Sequence, residues 1–356
     1  MGQILLDRNE NQYGPAPTCY RALREANLLQ MSMYSRDYLL ARKSELSYRL
    51  SHQFGIPENR LLLSYGSEDM LKQTVHCYLK PGETMLSPRQ SWWYYKSIAK
   101  EVGGKQVEYA LHEKGHKFEY SIEEMLRLCD IHHPQLILIA SPNNPTGNSI
   151  RKEDLIKLIE YCKSSVIVLD EAYFGFSNER RNDIKKLLES HGLLVILRTF
   201  SKYYALAGLR IGYACVGEDV THLTTYSARY LGYNQLTEKI ALAALDDEEY
   251  YHSITQKMCE DKESYYREFA SLEGFTPFHS DANFILVRYP ILQKQYLESE
   301  LRRRNIVLKF LSDPGLEDCI RITVGTKEQN AFVISSMKEI VKLGVSIPSQ
   351  PAFVKG

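Results

Sequence analysis

The sequence predicts an α/β protein with a mostly parallel sheet flanked by helices, followed by a smaller α+β unit. Two observations lead to this prediction. Short continuous apolar segments alternate with amphipathic helical patterns through the middle of the chain, which is typical of βαβ units in a covered parallel sheet. From about residue 246 this alternation gives way to a long charged helical pattern and a separate group of strand-like segments.

The elements of the first unit follow one another at short spacing. Continuous apolar runs predict buried strands, and apolar residues three or four positions apart predict helices with one apolar face. The strands are predicted at 61–63, 83–86, 106–111, 135–140, 166–170 and 193–197, and the helices at 68–79, 92–102, 121–129 and 154–162.

The ends of the chain differ from this middle part. The first 40 or so residues are polar and irregular, which indicates an arm that lies over a neighbouring subunit or the small unit. Beyond residue 246 we expect a long helix, strands at 283–287, 305–308 and 320–323, and a last helix at 329–343. We therefore predict an N-terminal arm (1–40), a large domain (41–245) and a small α+β domain (246–356).

Composition indicates a small-molecule partner. A chain of 356 residues suggests about two domains. The 44 basic and 44 acidic residues balance, so the global charge does not favour nucleic acid or an anionic membrane. The apolar runs are far shorter than the roughly 18 residues of a membrane span. Asp7 and Arg8 interrupt any signal-peptide core, so we expect a cytoplasmic protein.

Two sequence features raise the question of metal binding. The seven cysteines are scattered without short pair spacing, which predicts reduced, mostly buried thiols. His112-Glu-Lys-Gly-His116 matches the zinc-protease pattern HExxH, which requires both histidines on one face of a helix. Gly115 lies inside the pattern and a strand-like segment precedes it, so we predict a surface turn and no metal site.

Polar residues follow three of the predicted strands. Lys202 follows the strand at 193–197 in a turn with Thr199 and Ser201, and Arg210 lies eight residues further on. A lysine desolvated beside another cation can form a Schiff base, so this segment suits an aldehyde and a phosphate, both of which pyridoxal phosphate carries. The alternative is a surface lysine whose stem covers a buried strand.

The other two strand ends favour a ligand site. Asp170 ends one strand with Tyr173 just beyond it, and Ser141-Pro-Asn-Asn-Pro-Thr-Gly147 follows another. Ligands of open α/β sheets bind at the carboxyl ends of strands. Three such ends with suitable chemistry predict one site.

At this point the sequence resembles the fold-type I pyridoxal-phosphate aminotransferases, and among them the histidinol-phosphate aminotransferase subgroup, over nearly the whole chain. The resemblance implies a sheet of the seven-stranded type in the large domain, pyridoxal 5′-phosphate as cofactor, and an amine and a 2-oxo acid as substrates. The matching segments are Asn9-Glu-Asn11, Tyr13-Gly-Pro15, Tyr65-Gly-Ser-Glu-Asp69, Asn143-Asn-Pro-Thr-Gly147, Asp170-Glu-Ala-Tyr173, Thr199-Phe-Ser-Lys202, Ala205-Leu-Ala-Gly-Leu-Arg210 and Cys319-Ile-Arg-Ile-Thr-Val-Gly325.

The resemblance also implies a role for each cofactor residue. Lys202 bonds the cofactor and moves the substrate proton, and Asp170 holds the pyridine nitrogen in its protonated form. Tyr173 and Asn144 bond the ring oxygen, while Trp92, or failing that Trp93, stacks on the ring. The cofactor phosphate is assigned to Gly66, Ser67, Glu68, Thr199, Ser201 and Arg210.

On the substrate side, Arg321 is expected to bind a terminal carboxylate or phosphate, with Asn144, Tyr13 and Tyr233 lining the pocket. Tyr34 is expected to reach the cofactor phosphate of a second subunit, which implies a homodimer.

The sequence departs from the subgroup at Gln12, in the run Tyr34-Ser-Arg-Asp37, at Gly232 and at Lys309. Lys309, also expected at the substrate, stands where a second anion-binding arginine is usual. The leading expectation is a histidinol-phosphate:2-oxoglutarate transaminase. The departures leave open an aminotransferase for an aromatic or specialised amino acid, a phosphothreonine-type decarboxylase, and a cofactor-binding protein without turnover.

Overall fold

The computed structural model describes residues 2–177 and 183–345, in fourteen strands and twelve α-helices. The strands are β1 (Ile4–Leu6), β2 (Leu61–Ser64), β3 (Thr84–Pro88), β4 (Lys105–Tyr109), β5 (Leu111–Lys114), β6 (Lys117–Tyr120), β7 (Leu136–Ala140), β8 (Val166–Asp170), β9 (Leu194–Thr199), β10 (Gly212–Val216), β11 (Thr276–Phe278), β12 (Phe284–Arg288), β13 (Ile306–Phe310) and β14 (Cys319–Thr323).

The helices are α1 (Pro17–Arg24), α2 (Glu45–Phe54), α3 (Ser67–Tyr78), α4 (Tyr94–Glu101), α5 (Ile122–His132), α6 (Lys152–Tyr161), α7 (Ile184–Ser190), α8 (Thr221–Tyr226), α9 (Gln235–Leu245), α10 (Glu248–Ala270), α11 (Lys294–Arg303) and α12 (Lys327–Val345). Among them, within the described ranges, none has both the length and the apolar character that crossing a membrane requires.

The large sheet has seven strands in the order β2-β10-β9-β8-β7-β3-β4. Only β10 runs antiparallel to its neighbours, so the prediction of a mostly parallel sheet is confirmed. The strand β10, which is short and begins with glycine, is not among the strands predicted from the sequence. Because β7, β8 and β9 are parallel neighbours, their carboxyl ends meet at one edge of the sheet.

Both faces of this sheet are covered. In β8, Ile167 and Leu169 belong to one buried apolar cluster, while Val166 and Val168 belong to another. Successive side chains of a strand point to opposite faces, so a continuous apolar run is what a doubly covered strand requires. All seven cysteines are free and all but Cys259 are buried, as predicted.

The small sheet has five strands in the order β1-β13-β14-β12-β11. Its edge strand β1 pairs in parallel with β13, with Ile4 opposite Ile306. The prediction of an irregular arm therefore missed both β1 and α1. The cause is length, because a three-residue edge strand gives almost no periodic signal.

The HExxH match lies in a β-hairpin formed by β5 and β6. Gly115 makes the turn with a φ of +63°, and His112 bonds to Glu124 at 2.7 Å. The two histidines therefore do not share a helix face, as the sequence indicated. Across residues 2–177 and 183–345, no group of three or more His, Cys, Asp or Glu side chains could hold a metal ion.

Candidate active site

Lys202 is half-buried beyond the end of β9. Its Nζ donates hydrogen bonds to the backbone oxygens of Arg8, at 2.9 Å, and Asn9, at 3.1 Å. The same atom lies 5.5 Å from the centre of the Tyr173 ring. The amine therefore points inward, onto the N-terminal segment, instead of extending along the surface.

Asp170, at the end of β8, is buried with 6% of its surface exposed. Its Oδ1 accepts from the backbone N–H of Ala172 and its Oδ2 from the hydroxyl of Tyr95, each at 3.0 Å. Burial raises the pKa of Asp170 to about 6, and the two hydrogen bonds offset part of that rise. No cationic side chain among the described residues forms an ion pair with it, so this carboxylate suits a positively charged ligand atom.

Tyr173 and Asn144 lie at neighbouring strand ends. The Tyr173 hydroxyl accepts from Asn9 Nδ2 at 2.9 Å, and Asn144 Oδ1 accepts from Arg321. The loop that carries Asn144 is held by its neighbour Asn143, whose Nδ2 donates to Gln90 O at 2.7 Å. Asn143 therefore holds the loop in place, whereas the side chain of Asn144 contacts Arg321.

An anion cradle forms where β2 leads into α3. Gly66, with a φ of +85°, precedes the first turn of this twelve-residue helix, where free backbone N–H groups favour an anion. The Arg210 guanidinium closes the cradle and donates to Ser201 Oγ at 3.4 Å, which in turn accepts from Thr199 at 2.9 Å. A Cβ at Gly66 would lie 2.8 Å from Arg210 Nη2, so only glycine leaves this space open.

Glu68 is the exception among the cradle residues, because its carboxylate lies 3.6 Å from Arg210 Nη2. A phosphate in the cradle would compete with it for the guanidinium. The group of Glu68 that suits the anion is its backbone N–H, in the first turn of α3.

The aromatic segment before α4 separates into inward and outward residues. Trp92 is half-buried and packs against Tyr94 and Tyr95, with ring centres 4.9 and 5.6 Å apart. Trp93 is 65% exposed. Of the two candidates for stacking on a cofactor ring, Trp92 is therefore the one that lies against the site, through its contact with Tyr95.

Two basic residues share one face of the small sheet. Arg321 on β14 is only 8% exposed and donates to Asn144 Oδ1 and to the backbone oxygen of Asp7, each at 2.5 Å. Its Nε has no hydrogen-bond partner among the residues that the structure describes. Lys309 on β13 lies directly opposite Arg321 in the ladder and is exposed, and side chains of directly opposite residues project from the same face.

Three predicted tyrosines make their contacts elsewhere in the single chain. The Tyr13 hydroxyl lies 3.4 Å from Asp261 on α10, where burial raises its pKa to about 12. The Tyr233 hydroxyl donates to the backbone oxygen of Leu63 on β2. Tyr34 is 71% exposed. Among the described residues neither Tyr13 nor Tyr233 hydrogen-bonds to Lys202, and the roles of all three tyrosines stay predictions.

Asn9 and Tyr95 belong to the site but were not predicted as members of it from the sequence. Asn9 bonds Lys202, Tyr173, Asn283 and Thr323, and it has a φ of +56°. Asn9 was part of a matched motif, yet nothing in the sequence indicated that one residue joins the N-terminal segment to both sheets. Tyr95 was hidden in an aromatic run that core packing also explains.

These features together fit pyridoxal phosphate. The buried carboxylate without a cation suits the protonated ring nitrogen, the glycine cradle suits the phosphate, and the half-buried amine suits the aldehyde. The three groups come from β8, from β2 and α3, and from the turn after β9, which meet at one edge of the sheet.

Comparison with known proteins agrees with this reading. The family model of class I and II aminotransferases matches residues 2–336. Histidinol-phosphate aminotransferase from Roseiflexus castenholzii is 31% identical over 341 residues, 95% of this chain and 89% of that protein. The protein of the same name from Bacillus subtilis (strain 168) is 30% identical over 343 residues, 95% of this chain and 91% of its own length.

Solved structures share the fold. Histidinol-phosphate aminotransferase from Sinorhizobium meliloti, in complex with pyridoxal-5′-phosphate, has a TM-score of 0.84 at 22% identity and covers 96% of this chain and 91% of its own. L-threonine-O-3-phosphate decarboxylase from Porphyromonas gingivalis has a TM-score of 0.78 at 18% identity, with 95% and 99% covered. At these identities the likeness shows the fold-type I architecture alone. By its family match, the chain belongs to the class I and II aminotransferases, enzymes that transfer amino groups with pyridoxal phosphate as cofactor.

Proposed function

We propose that this aminotransferase takes histidinol phosphate as its amino donor and a 2-oxo acid such as 2-oxoglutarate as acceptor. The observation that carries the proposal is the pair of cations on one face of the small sheet, the buried Arg321 and the exposed Lys309. A guanidinium suits a carboxylate or a phosphate equally. A second cation beside it favours the doubly charged phosphate.

In this proposal Lys202 has two tasks. Its Nζ would be the amine that holds the aldehyde group of pyridoxal phosphate. The same atom would also serve as the general base that takes the proton from the donor's α-carbon. Both tasks require Nζ to leave the backbone oxygens of Arg8 and Asn9. Pyridoxal phosphate supplies the electron sink that accepts the carbanion charge.

The other cofactor residues orient the ring. We assign the ring-nitrogen proton to Asp170, the ring oxygen to Tyr173 and Asn144, and the open ring face to Trp92. We assign the phosphate to the backbone N–H groups of Gly66, Ser67 and Glu68 and to the side chains of Thr199, Ser201 and Arg210.

We further propose that the active unit is a cytoplasmic homodimer. The segment before α2 exposes a run of apolar side chains, which is more than a monomer usually leaves in water. A partner subunit would cover them and would place its Tyr34 against the cofactor phosphate. The arm (1–40) then serves the interface, the large domain (41–245) the cofactor and the small domain (246–356) the substrate anion. The exposed side chains are Leu28, Leu29, Met31, Met33, Tyr34, Tyr38, Leu39 and Leu40.

Other substrates remain alternatives, because Lys309 is a point charge and lacks the bidentate fork of arginine. The runner-up is an aminotransferase for an aromatic or specialised amino acid. A phosphothreonine-type decarboxylase is a further candidate, since the decarboxylase of P. gingivalis shares the fold over 95% of this chain.

A substrate panel separates these functions. The cofactor-loaded protein is mixed with L-histidinol phosphate, L-glutamate, L-phenylalanine or L-threonine O-phosphate, and absorbance is followed together with carbon dioxide release. Conversion of the cofactor to its amine form at low concentrations of histidinol phosphate supports the proposal. Conversion only by another amine, or release of carbon dioxide, contradicts the proposed donor. Light scattering at the same protein concentrations tests the dimer.

A further inference from the structure

Tyr95 occupies a position that the known chemistry of the site does not explain. It belongs to the first turn of α4, and only 4% of its surface is exposed. Its hydroxyl donates to Asp170 Oδ2 at 3.0 Å, and its ring packs edge-on against Trp92 with centres 5.6 Å apart. One side chain thus touches both the carboxylate assigned to the ring nitrogen and the indole assigned to the ring face.

We propose that Tyr95 is a positioning residue that holds the Asp170 carboxylate in its ionised form and in the orientation that meets the cofactor's ring nitrogen. The proposal rests on the role assigned to Asp170 above. It adds that this role depends on a second residue, supplied by a helix that packs on the other side of the carboxylate.

The direction of the hydrogen bond follows from burial. Desolvation, and secondly the charge of Asp170, raise the pKa of Tyr95 well above its ordinary value. The phenol therefore keeps its proton over the whole working range of pH and acts as donor, while the carboxylate accepts.

Both oxygens of Asp170 are fixed by separate donors. The backbone N–H of Ala172 binds Oδ1 from the loop that follows β8, and Tyr95 binds Oδ2 from α4. Removing the phenol would free one oxygen and let the carboxylate rotate. A carboxylate with only one local donor has no fixed lone pair for a ring N–H.

Tyr95 also favours the charged form of Asp170. Burial, the largest influence, and the nearby Glu171 raise the pKa of this carboxylate, whereas the hydrogen bonds from Ala172 and Tyr95 lower it. Glu171 is itself paired with Arg198 at 2.9 Å. Loss of the Tyr95 hydroxyl leaves burial less opposed, so the carboxyl stays protonated to a higher pH. A protonated carboxyl cannot hold a protonated ring nitrogen, so the cofactor must displace a proton in order to bind.

The test is the pH dependence of cofactor affinity in Tyr95→Phe, measured by fluorescence titration of the refolded apoprotein with pyridoxal phosphate. The affinity for pyridoxal phosphate should fall as Asp170 becomes protonated. In Tyr95→Phe we expect this fall at a pH about one unit higher than in wild type, because a hydrogen bond to a carboxylate lowers its pKa by about that amount. Tyr109→Phe is the matched control, because Tyr109 is equally buried and its hydroxyl donates to Leu138 O at 2.9 Å, away from Asp170.

An unchanged pH profile in Tyr95→Phe, or an equal change in Tyr109→Phe, would overturn the proposal. Asp170→Asn separates this failure from failure of the assigned role. If Asp170→Asn itself leaves the profile unchanged, the role of Asp170 is wrong; if it flattens the profile while Tyr95→Phe does not move it, only the role of Tyr95 is wrong. Should Tyr95→Phe not fold, Tyr95→Met removes the same donor and carries the same expectation.

Discussion

The guanidinium of Arg321 donates to the side-chain oxygen of Asn144, and this bond joins the small sheet to the large one. Arg321 lies on β14, Asn144 lies in the loop after β7, and the second amino group of Arg321 binds the backbone of Asp7. One side chain therefore holds three segments of the chain together. The residue assigned to the substrate anion is positioned by a residue assigned to the cofactor, so we expect effects on the two ligands to be coupled.

The first prediction concerns Lys309. If Lys309 and Arg321 share a phosphate, Lys309→Ala should raise the KM for histidinol phosphate about tenfold, the equivalent of about 1.4 kcal/mol, with kcat little changed. Lys309→Arg should restore or improve the KM, because a guanidinium adds a second hydrogen bond. Steady-state kinetics with both variants provides the measurement. An equal KM for Lys309→Ala and wild type would remove Lys309 from the substrate site.

Lys202→Ala should abolish turnover while the fold and the dimer persist. The side chain is half-buried, and its hydrogen bonds within the described part of the chain go to backbone oxygens of the N-terminal segment, so its removal should cost little stability. Turnover should fall by several orders of magnitude because no other amine takes over both tasks. Single-turnover absorbance and thermal unfolding are measured together. Substantial residual activity in a correctly folded variant would contradict the assigned mechanism.

The large sheet and the cluster of strand ends could be predicted from the sequence because their signals are local. Continuous apolar runs specify doubly covered strands, and the order of parallel neighbours then brings Lys202, Asp170 and Asn144 together. The strand β10 could not be predicted from the sequence, because its five residues begin with glycine and include small side chains. The chemistry of the site could be predicted because Lys202, Asp170 and Asn144 each lie at or just beyond the end of a buried strand.

Contacts between distant segments could not be predicted in the same way. Asn9 joins the N-terminal segment to both sheets through backbone and side-chain bonds, across more than 160 residues in the bond to Tyr173. The contact of Tyr95 with Asp170 spans 75 residues. Such bonds depend on how helices and loops pack. The sequence of an aromatic run does not indicate which of its tyrosines will donate a hydrogen bond to a carboxylate.

Asp170→Asn should lower kcat by about two orders of magnitude or more at saturating cofactor, with the cofactor still bound. An amide cannot stabilise a positive charge at the ring nitrogen, and the electron sink then weakens. Asp154→Asn is a suitable control, because Asp154 is also buried but lies on α6 in an ion pair with Arg151 at 2.7 Å. An unchanged kcat in Asp170→Asn would remove its assigned role, whereas equal losses in both variants would indicate a general structural effect.

Gly66→Ala should weaken cofactor binding at least tenfold. The new Cβ would lie 2.8 Å from Arg210 Nη2 and would push the guanidinium out of the cradle. Gly82→Ala is the matched control, with nearly the same φ, +83° against +85°, and open space around the Cβ. Both variants should lose about 1 kcal/mol of stability through the positive φ, and only Gly66→Ala should raise the dissociation constant. Equal constants for the two variants would place the phosphate elsewhere.

The last prediction concerns the buried carboxyl of Glu238, on α9. We expect it to make the free energy of unfolding depend on pH, independently of catalysis. Burial, and to a smaller degree the nearby Asp37 and Glu45, raise the pKa of this carboxyl from 4.5 to about 7. The folded chain therefore binds this proton more tightly than the unfolded chain. The bound proton contributes about 3 kcal/mol to the free energy of unfolding below pH 4.5. This contribution is lost as the pH rises through 7.

Glu238→Gln keeps a neutral side chain of the same shape at every pH, so it should match wild type near pH 4.5 and exceed it increasingly up to pH 7. Glu123→Gln serves as control, because Glu123 is exposed and lies on α5, and it is not among the groups that raise the pKa of Glu238. Urea unfolding of the apoprotein across this range measures the difference. A constant difference between Glu238→Gln and wild type at all pH values would mean that Glu238 is ionised throughout, with its burial compensated by the groups around it.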